Sequence, residues 1–381
     1  MLPREQTSKI AFLRKIIREY YSQRPLEEPG DLHKREIALE SLEDAAYIRH
    51  LAFPYMSALY EYITTVKTPL HLYHSSALYA VPDADIMENK IWEGSELLFD
   101  IDADKYEGCN KRIKRIWICP ESGEAYDTVL GACPQGEKPV EYLSLPWMCI
   151  VKAWNSALRL IDVLEKDFGY SKIKIYFSGN RGFHVKVLDQ EVLQLGREAR
   201  RAIADYVSCN ELDLDTLFPA YRGKAVFRTP EYGLRKRVLE LAMKRGIIER
   251  RRVKELEDVM LVDLEYVKAI LREVCVDVDR AVTMDTTRLS RFGNSLNMKA
   301  GFKVTELKRD IDVDRLRYEC FSPFKGTLKV KSLVTGGVDV LDTKLNLVRG
   351  NIYRVEAYIG VYMVVKGLAL PVDFNELEVR P

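Results

Sequence analysis

The chain is predicted to fold as α+β, a mixed-sheet core interrupted by insertions. Three observations carry this expectation. Short runs such as Leu97-Leu98-Phe99-Asp100-Ile101-Asp102 and Ile173-Lys174-Ile175-Tyr176-Phe177 alternate with the period of a strand. Longer stretches repeat their apolar residues at helical spacing, as in Trp154, Ala157, Leu158, Ile161 and Leu164. The two kinds of element are mixed along the chain with no internal repeat, which favours an irregular α+β arrangement.

Taken in order, Ile10, Leu13, Ile16, Ile17, Tyr20 and Tyr21 predict an N-terminal amphipathic helix. Leu97 to Asp102 reads as a strand that ends in acid. The helix marked by Trp154 to Leu164 should stop near Gly169. Next comes a strand over Ile173, Ile175 and Phe177. A tight turn, Ser178-Gly179-Asn180-Arg181-Gly182, leads into a second strand over Phe183, Val185 and Val187. From Leu212 to Cys275 the pattern is highly charged and reads as a helical insertion. Lys244 to Lys254, with Glu249, Glu255 and Glu257 interleaved, is read there as a solvated helix. The tail from Gly326 is β-like. Its apolar run Ala357 to Val365 is too short to cross a bilayer and reads as a strand.

Composition narrows the class. With 381 residues, 47% hydrophobic and 30% charged, the chain is globular and buries a substantial core. A net charge of +1 means that any basic binding surface is local. Met1-Leu2-Pro3-Arg4-Glu5 has no leader-peptide pattern, so a cytoplasmic location is expected. Seven cysteines in such a chain favour thiols or a metal site over a disulfide framework. Scarce Gln with abundant Arg, Lys and Glu is a bias of heat-loving organisms.

Asp100 and Asp102 fall on one strand face, opposite Leu97, Phe99 and Ile101. Two adjacent carboxylates repel unless a cation lies between them, and Mg²⁺ or Mn²⁺ is the ion such oxygens hold beside substrate phosphates. In the turn, glycines allow close approach of a ligand to backbone N–H groups. Ser178, Arg181 and His184 add a hydroxyl, a guanidinium fork and an imidazole, a set that suits a triphosphate. Farther on, Asp279 offers a third carboxylate, and Arg288, Arg291 and Lys299 add positive charge. No P-loop and no dinucleotide-binding glycine fingerprint is present.

These segments resemble the catalytic small subunit of the archaeal and eukaryotic-type DNA primases. That family has an F-D-I-D strand, an S-G-x-R-G-x-H turn, and D-x-x-V-[ST] leading to R-L-x-x-x-x-S-L-H-x-K-x-G. Here they read Phe99-Asp100-Ile101-Asp102, Ser178 to His184, and Asp279-Arg280-Ala281-Val282-Thr283, in the same order. Arg35-Glu36 through Tyr47-Ile48-Arg49 is similar to the family's N-terminal element. The resemblance covers residues from about 10 to about 330 and departs at Asn297, where the family has His.

The resemblance implies a DNA-dependent primase that makes short primers on single-stranded DNA by two-metal nucleotidyl transfer. Asp100, Asp102 and Asp279 would be the catalytic residues and the Mg²⁺ or Mn²⁺ ligands. Ser178, Arg181, His184 and Arg291 would bind the nucleotide, with Glu36 and Arg49 nearby. It also implies a small zinc-binding element, for which Cys109, Cys119, Cys133 and Cys149 are the candidate ligands of a structural Zn²⁺. The remaining cysteines, Cys209, Cys275 and Cys320, read as isolated core residues. Expected partners are the larger primase subunit, the template and nucleoside triphosphates. The implied organisation is a catalytic core over 1–211, with the zinc-binding insertion at 106–149. A helical insertion follows at 212–275, then the second part of the core at 276–335 and a β-rich extension at 336–381. A gap-filling repair polymerase with the same core and a non-catalytic, zinc-stabilised nucleic-acid-binding protein are the alternatives.

Overall fold

In the computed structural model, residues 4–106, 108–253 and 256–381 are described. Two four-stranded antiparallel sheets form the core. The first has the spatial order Thr305–Glu306, Ile173–Phe177, Gly182–Val187, Leu97–Asp102. The second has the order Leu289–Arg291, Pro69–Ser75, Ile37–Ser41, Ala46–Leu51.

Alternation decides what each face of the first sheet does. Leu97, Phe99, Ile101, Phe183, Val185, Ile175 and Phe177 are buried in the main core. Helix Trp147–Lys166 covers that face, with the Trp154 ring 5.4 Å from Phe183 and the Trp147 ring 6.3 Å from Phe177. Full burial of one such aromatic side chain contributes roughly 1.5–3 kcal/mol. The opposite face is left with Asp100, Asp102, Tyr176, His184 and Lys186.

The N-terminal helix, Arg4–Ser22, buries Leu13, Ile16, Ile17, Tyr20 and Tyr21 of the six apolar residues that its spacing singles out, and leaves Ile10 half-buried. It also braces the segment that leads to Asn297. The Tyr20 hydroxyl donates to the Asn294 carbonyl at 2.6 Å, and the Leu296 N–H donates to the Tyr21 hydroxyl at 3.0 Å.

Four expectations are corrected. Residues 212–275 are not purely helical. They hold a four-stranded sheet, Ala220–Tyr221, Lys224–Phe227, Leu256–Asp263 and Glu249–Val253, against helices Gly233–Lys244 and Leu264–Val274. This unit has its own core of Phe218, Phe227, Val238, Val262 and Ile270. The basic run expected to be a helix is thus one arm of a hairpin, Glu249–Val253; Lys254 and Glu255 lie outside the described residues. Ala357–Val365 is a helix and not a strand. Its residues are buried on nearly every side, and a run that is apolar all round carries no period to separate the two.

The cysteines are the fourth correction. Cys109 is bonded to Cys149, Cys119 to Cys133 and Cys209 to Cys275, leaving Cys320 free and exposed. Cys209 and Cys275 are therefore partners, not isolated residues. The four cysteines of the insertion are split two by two instead of converging on one ion. A sulfur in a disulfide is not a thiolate and does not ligate zinc. Spacing along the chain gave no means of choosing between these arrangements. Among the described residues, no helix is long and apolar enough to cross a membrane.

Candidate active site

The acids stand where the two sheets face each other. Asp100 pairs in register with His184, and Asp102 with Gly182. His184 Nε2 lies 3.7 Å from Asp100 Oδ1. Gly182 is at this position because the strands are too close for a side chain. A Cβ there would sit 2.2 Å from the Ile101 carbonyl oxygen.

Asp279 arrives from a distant part of the chain. Its backbone N–H donates to the Asp100 carbonyl at 3.1 Å, which ties it to the acid strand. Its carboxylate caps the short helix Arg280–Met284, accepting from the N–H groups of Ala281 at 3.0 Å and Val282 at 3.2 Å. The Lys105 ammonium lies 3.9 Å from its other oxygen. The structure therefore brings Asp100, Asp102 and Asp279 together. Burial and then the Asp279 charge push the Asp100 carboxyl up from its ordinary range; burial and then Asp100 do the same to Asp102. Crowded carboxylates that raise one another's pKa are a fit for divalent cations, which would remove the repulsion.

The glycine turn lies at the end of the same strand pair. Arg181 Nη1 reaches Asp104 Oδ2 at 2.9 Å, and its Nε stands 3.9 Å from Asp102. The Ser178 hydroxyl accepts from the Gly182 N–H at 3.2 Å, so it closes the turn. Asn297 is buried below. Its Nδ2 donates to the Ser178 carbonyl at 2.8 Å, and its Oδ1 accepts from the Lys299 N–H at 3.2 Å. Gly179 has φ +73°, and a Cβ there would meet Asn297 Cβ at 2.9 Å. Asn297 braces the turn through an uncharged hydrogen bond.

The second sheet supplies cations. Arg291 is buried, with its guanidinium 4.8 Å above the Tyr73 ring and Nη1 3.1 Å from His71 Nδ1. Glu36 is fully buried. It accepts from Arg49 Nε at 2.8 Å and lies 3.6 Å from the buried Lys90 ammonium. Burial, followed by the Arg291 charge, holds both His71 and His184 down to about 3, so both rings are neutral at neutral pH. Sequence reasoning missed His71, Tyr73, Lys90 and Lys186. The signal was present in part: His71 and Tyr73 share a face of their strand by simple alternation.

The cysteine-bearing insertion holds the three-stranded sheet Ala125–Tyr126, Lys114–Ile118, Val140–Ser144. Cys119, Cys133 and Glu137 come close enough to share one ion. Both carboxylate oxygens of Glu137 are buried without a hydrogen-bond partner.

A sequence profile of the DNA primase small subunit matches residues 148–309. The DNA primase small subunit PriS of Staphylothermus marinus is 43% identical over the whole of both chains. PriS of Sulfurisphaera tokodaii is 34% identical, covering 93% of this chain and 94% of its own. PriS of Aeropyrum pernix is 33% identical, covering 93% of this chain and 91% of its own. The chain belongs to the DNA primase small subunit family.

Proposed function

We propose that this chain is the catalytic subunit of a DNA primase, a nucleotidyltransferase that builds short primers on single-stranded DNA. The observation that carries the reading is the meeting of Asp100, Asp102 and Asp279 beside a glycine turn that presents Arg181 and His184. Asp100, Asp102 and Asp279 would hold the Mg²⁺ or Mn²⁺ ions. Such ions lower the pKa of an attacking 3′-hydroxyl and neutralise the departing pyrophosphate. In the reaction the 3′ oxygen bonds to the α-phosphorus, the bond to the β-phosphate breaks, and the hydroxyl proton is lost.

The chain's own residues position and neutralise. Arg181 swings from Asp104 and Asp102 to the triphosphate, and its fork matches phosphate oxygens. Neutral His184 donates or accepts a hydrogen bond next to Asp100 without adding charge. Arg291, fixed between Tyr73 and His71, faces the same triphosphate from the second sheet. Ser178 and Asn297 hold the turn's shape.

The proposed partners are single-stranded template, nucleoside triphosphates and a large primase subunit. Cys119, Cys133 and Glu137, once the disulfide is reduced, form the better candidate for structural zinc, since Glu137 has buried oxygens in need of a partner. Zinc analysis of reduced protein checks this; equal zinc in a Glu137→Ala variant would rule it out.

The deciding experiment is primer synthesis on single-stranded template with and without a pre-annealed primer. Product in both arms, lost in Asp100→Asn, is expected. Extension of a supplied primer with no synthesis from bare template, with or without a large subunit, would favour the gap-filling polymerase. Product from Asp100→Asn would overturn the assignment of the acids.

A further inference from the structure

The strand Gly182–Val187 carries a buried cation that the proposed reaction leaves unused. Lys186 follows His184 by two residues and lies on the same face. It is 6% exposed, and among the described residues no carboxylate lies within 4 Å of its ammonium. Glu96 and Glu27 are the acids whose charge it feels, and each has another partner. Glu96 is paired with Arg35 at 2.5 Å; Glu27 is paired with Lys174 at 2.5 Å and accepts from the Tyr176 hydroxyl at 2.9 Å. Burial lowers the Lys186 pKa to about 8. The ammonium is held away from water at a cost, and its hydrogen bonds go elsewhere.

They reach out of its own sheet. Nζ donates to the Arg291 carbonyl at 3.3 Å and lies 3.3 Å from His74 Nε2. Both acceptors belong to the second sheet, where Ser290 pairs with His74 and Arg291 with Tyr73. The His74 tautomer follows from its other nitrogen. Nδ1 stands 2.9 Å from the Ser75 carbonyl, which accepts and never donates, so the hydrogen is on Nδ1 and Nε2 accepts from Lys186. Burial, then the Lys186 charge, keep that ring neutral. The strand Leu289–Arg291 is three residues long and lies at the edge of its sheet, so it is paired on one side only. Lys186 holds the carbonyl of its last residue. That residue's guanidinium is near enough to depress the His184 pKa and to feel the Asp100 charge.

We propose that Lys186 is a positioning residue for nucleotide binding: by tying His74 and the Arg291 carbonyl to the strand of His184, it fixes where the Arg291 guanidinium meets the triphosphate. The proposal rests on the reading of Arg291 as a triphosphate ligand.

The test is a double-mutant cycle on the full chain extending a supplied primer. Lys186→Met keeps the length of the side chain and removes the donor. It should raise the KM for nucleotide about tenfold with kcat little changed, the size of a coupled contact between neighbours. In an Arg291→Gln background the same substitution should add less than about twofold, because there is no guanidinium left to place. A merely structural lysine would raise KM by the same factor in both backgrounds, alongside its loss of stability to urea. Where the Met variant does not fold, Lys186→Gln takes its place in the cycle; its side chain is one bond shorter, so its nitrogen falls short of acceptors already at 3.3 Å. An unchanged KM in the folded Lys186 variant overturns the proposal, as does an equal rise in both backgrounds. Unchanged KM in Arg291→Gln alone would defeat the reading of Arg291 and the proposal with it. A raised KM there without coupling to Lys186 overturns the proposal alone.

Discussion

Gly182→Ala tests the geometry of the site without touching a functional group. The new methyl would lie 2.2 Å from the Ile101 carbonyl oxygen, 3.1 Å from the Ile101 carbonyl carbon and 3.2 Å from Asp102 Cα. All three atoms are backbone, so no side chain can rotate away. Restoring an ordinary contact opens the strand pair by about 1 Å, at a cost of about 1–3 kcal/mol in stability by the general scale for overpacking. The displaced segment carries Asp102, and Asp100 lies two residues before it on the same face. An ångström of misplacement at a reacting centre costs on the order of 100-fold in rate. Primer extension at saturating nucleotide should therefore fall about 100-fold, with circular dichroism showing a folded protein. Gly196→Ala is the matched control, since nothing lies within 4 Å of its Cβ position. A Gly182→Ala enzyme extending primers at nearly the normal rate would mean that the acids tolerate the shift, and the close strand approach would not be part of the catalytic design.

Three further outcomes follow from the same contacts. Asp100→Asn should abolish extension and stabilise the metal-free fold. Burial and Asp279 raise the Asp100 pKa, so its favourable contribution exists below the ordinary carboxylate range and is lost as pH rises through the raised value. Urea unfolding should thus show the gain at pH 8 and little of it at pH 4; a destabilised variant at pH 8 would contradict the repulsion. Arg181→Ala should weaken nucleotide binding by about 1.5–3 kcal/mol, the scale of a charge-assisted hydrogen bond, read as apparent affinity at fixed template. Unchanged affinity would move the triphosphate elsewhere. Asn297→Ala leaves the buried Ser178 carbonyl without its donor and should cost about 1–3 kcal/mol in chemical unfolding, with a raised KM for nucleotide. Wild-type stability and KM together would remove Asn297 from the turn's support.

How far the sequence could be read depended on whether its signal was local. The strands on either side of the glycine turn are adjacent in sequence, and their pairing follows from hairpin geometry; the acid strand was legible by its clean period of two, but its pairing with Gly182–Val187 is long-range and had no local mark. Asp279 had no such local mark. Only the resemblance placed it, and the hydrogen bond from its N–H to the Asp100 carbonyl is the physical tie. Ala357–Val365 was misread because burial on all sides erases periodicity. The hairpin containing Glu249–Val253 was misread because dense charge was taken as the mark of a solvated helix, whereas Arg250 and Arg251 lie on a strand paired with Met260 and Val259. The cysteines failed for another reason. Pairing is a property of three-dimensional proximity, and four cysteines admit several arrangements at any spacing.

The second sheet was the larger omission, and it completes the charge argument. The first sheet contributes Asp100 and Asp102, whose repulsion is a debt only cations discharge. The second contributes Arg291, held in place by Tyr73 and His71, and the Glu36–Arg49 ion pair, with Lys90 brought to Glu36 from outside the sheet. Together the two sheets set the carboxylates on one side and the Arg291 guanidinium, close enough to feel the Asp100 charge, on the other, which is the charge pattern of a metal–triphosphate complex. The buried histidines fit the same logic. With His71 and His184 neutral, the positive charge that persists as pH moves between 6 and 8 comes from arginine, while burial lowers the Lys186 pKa to about 8, so its charge starts to fade at the top of that window. The neutral imidazoles leave the balance between acids and arginines to be set by the ligand alone.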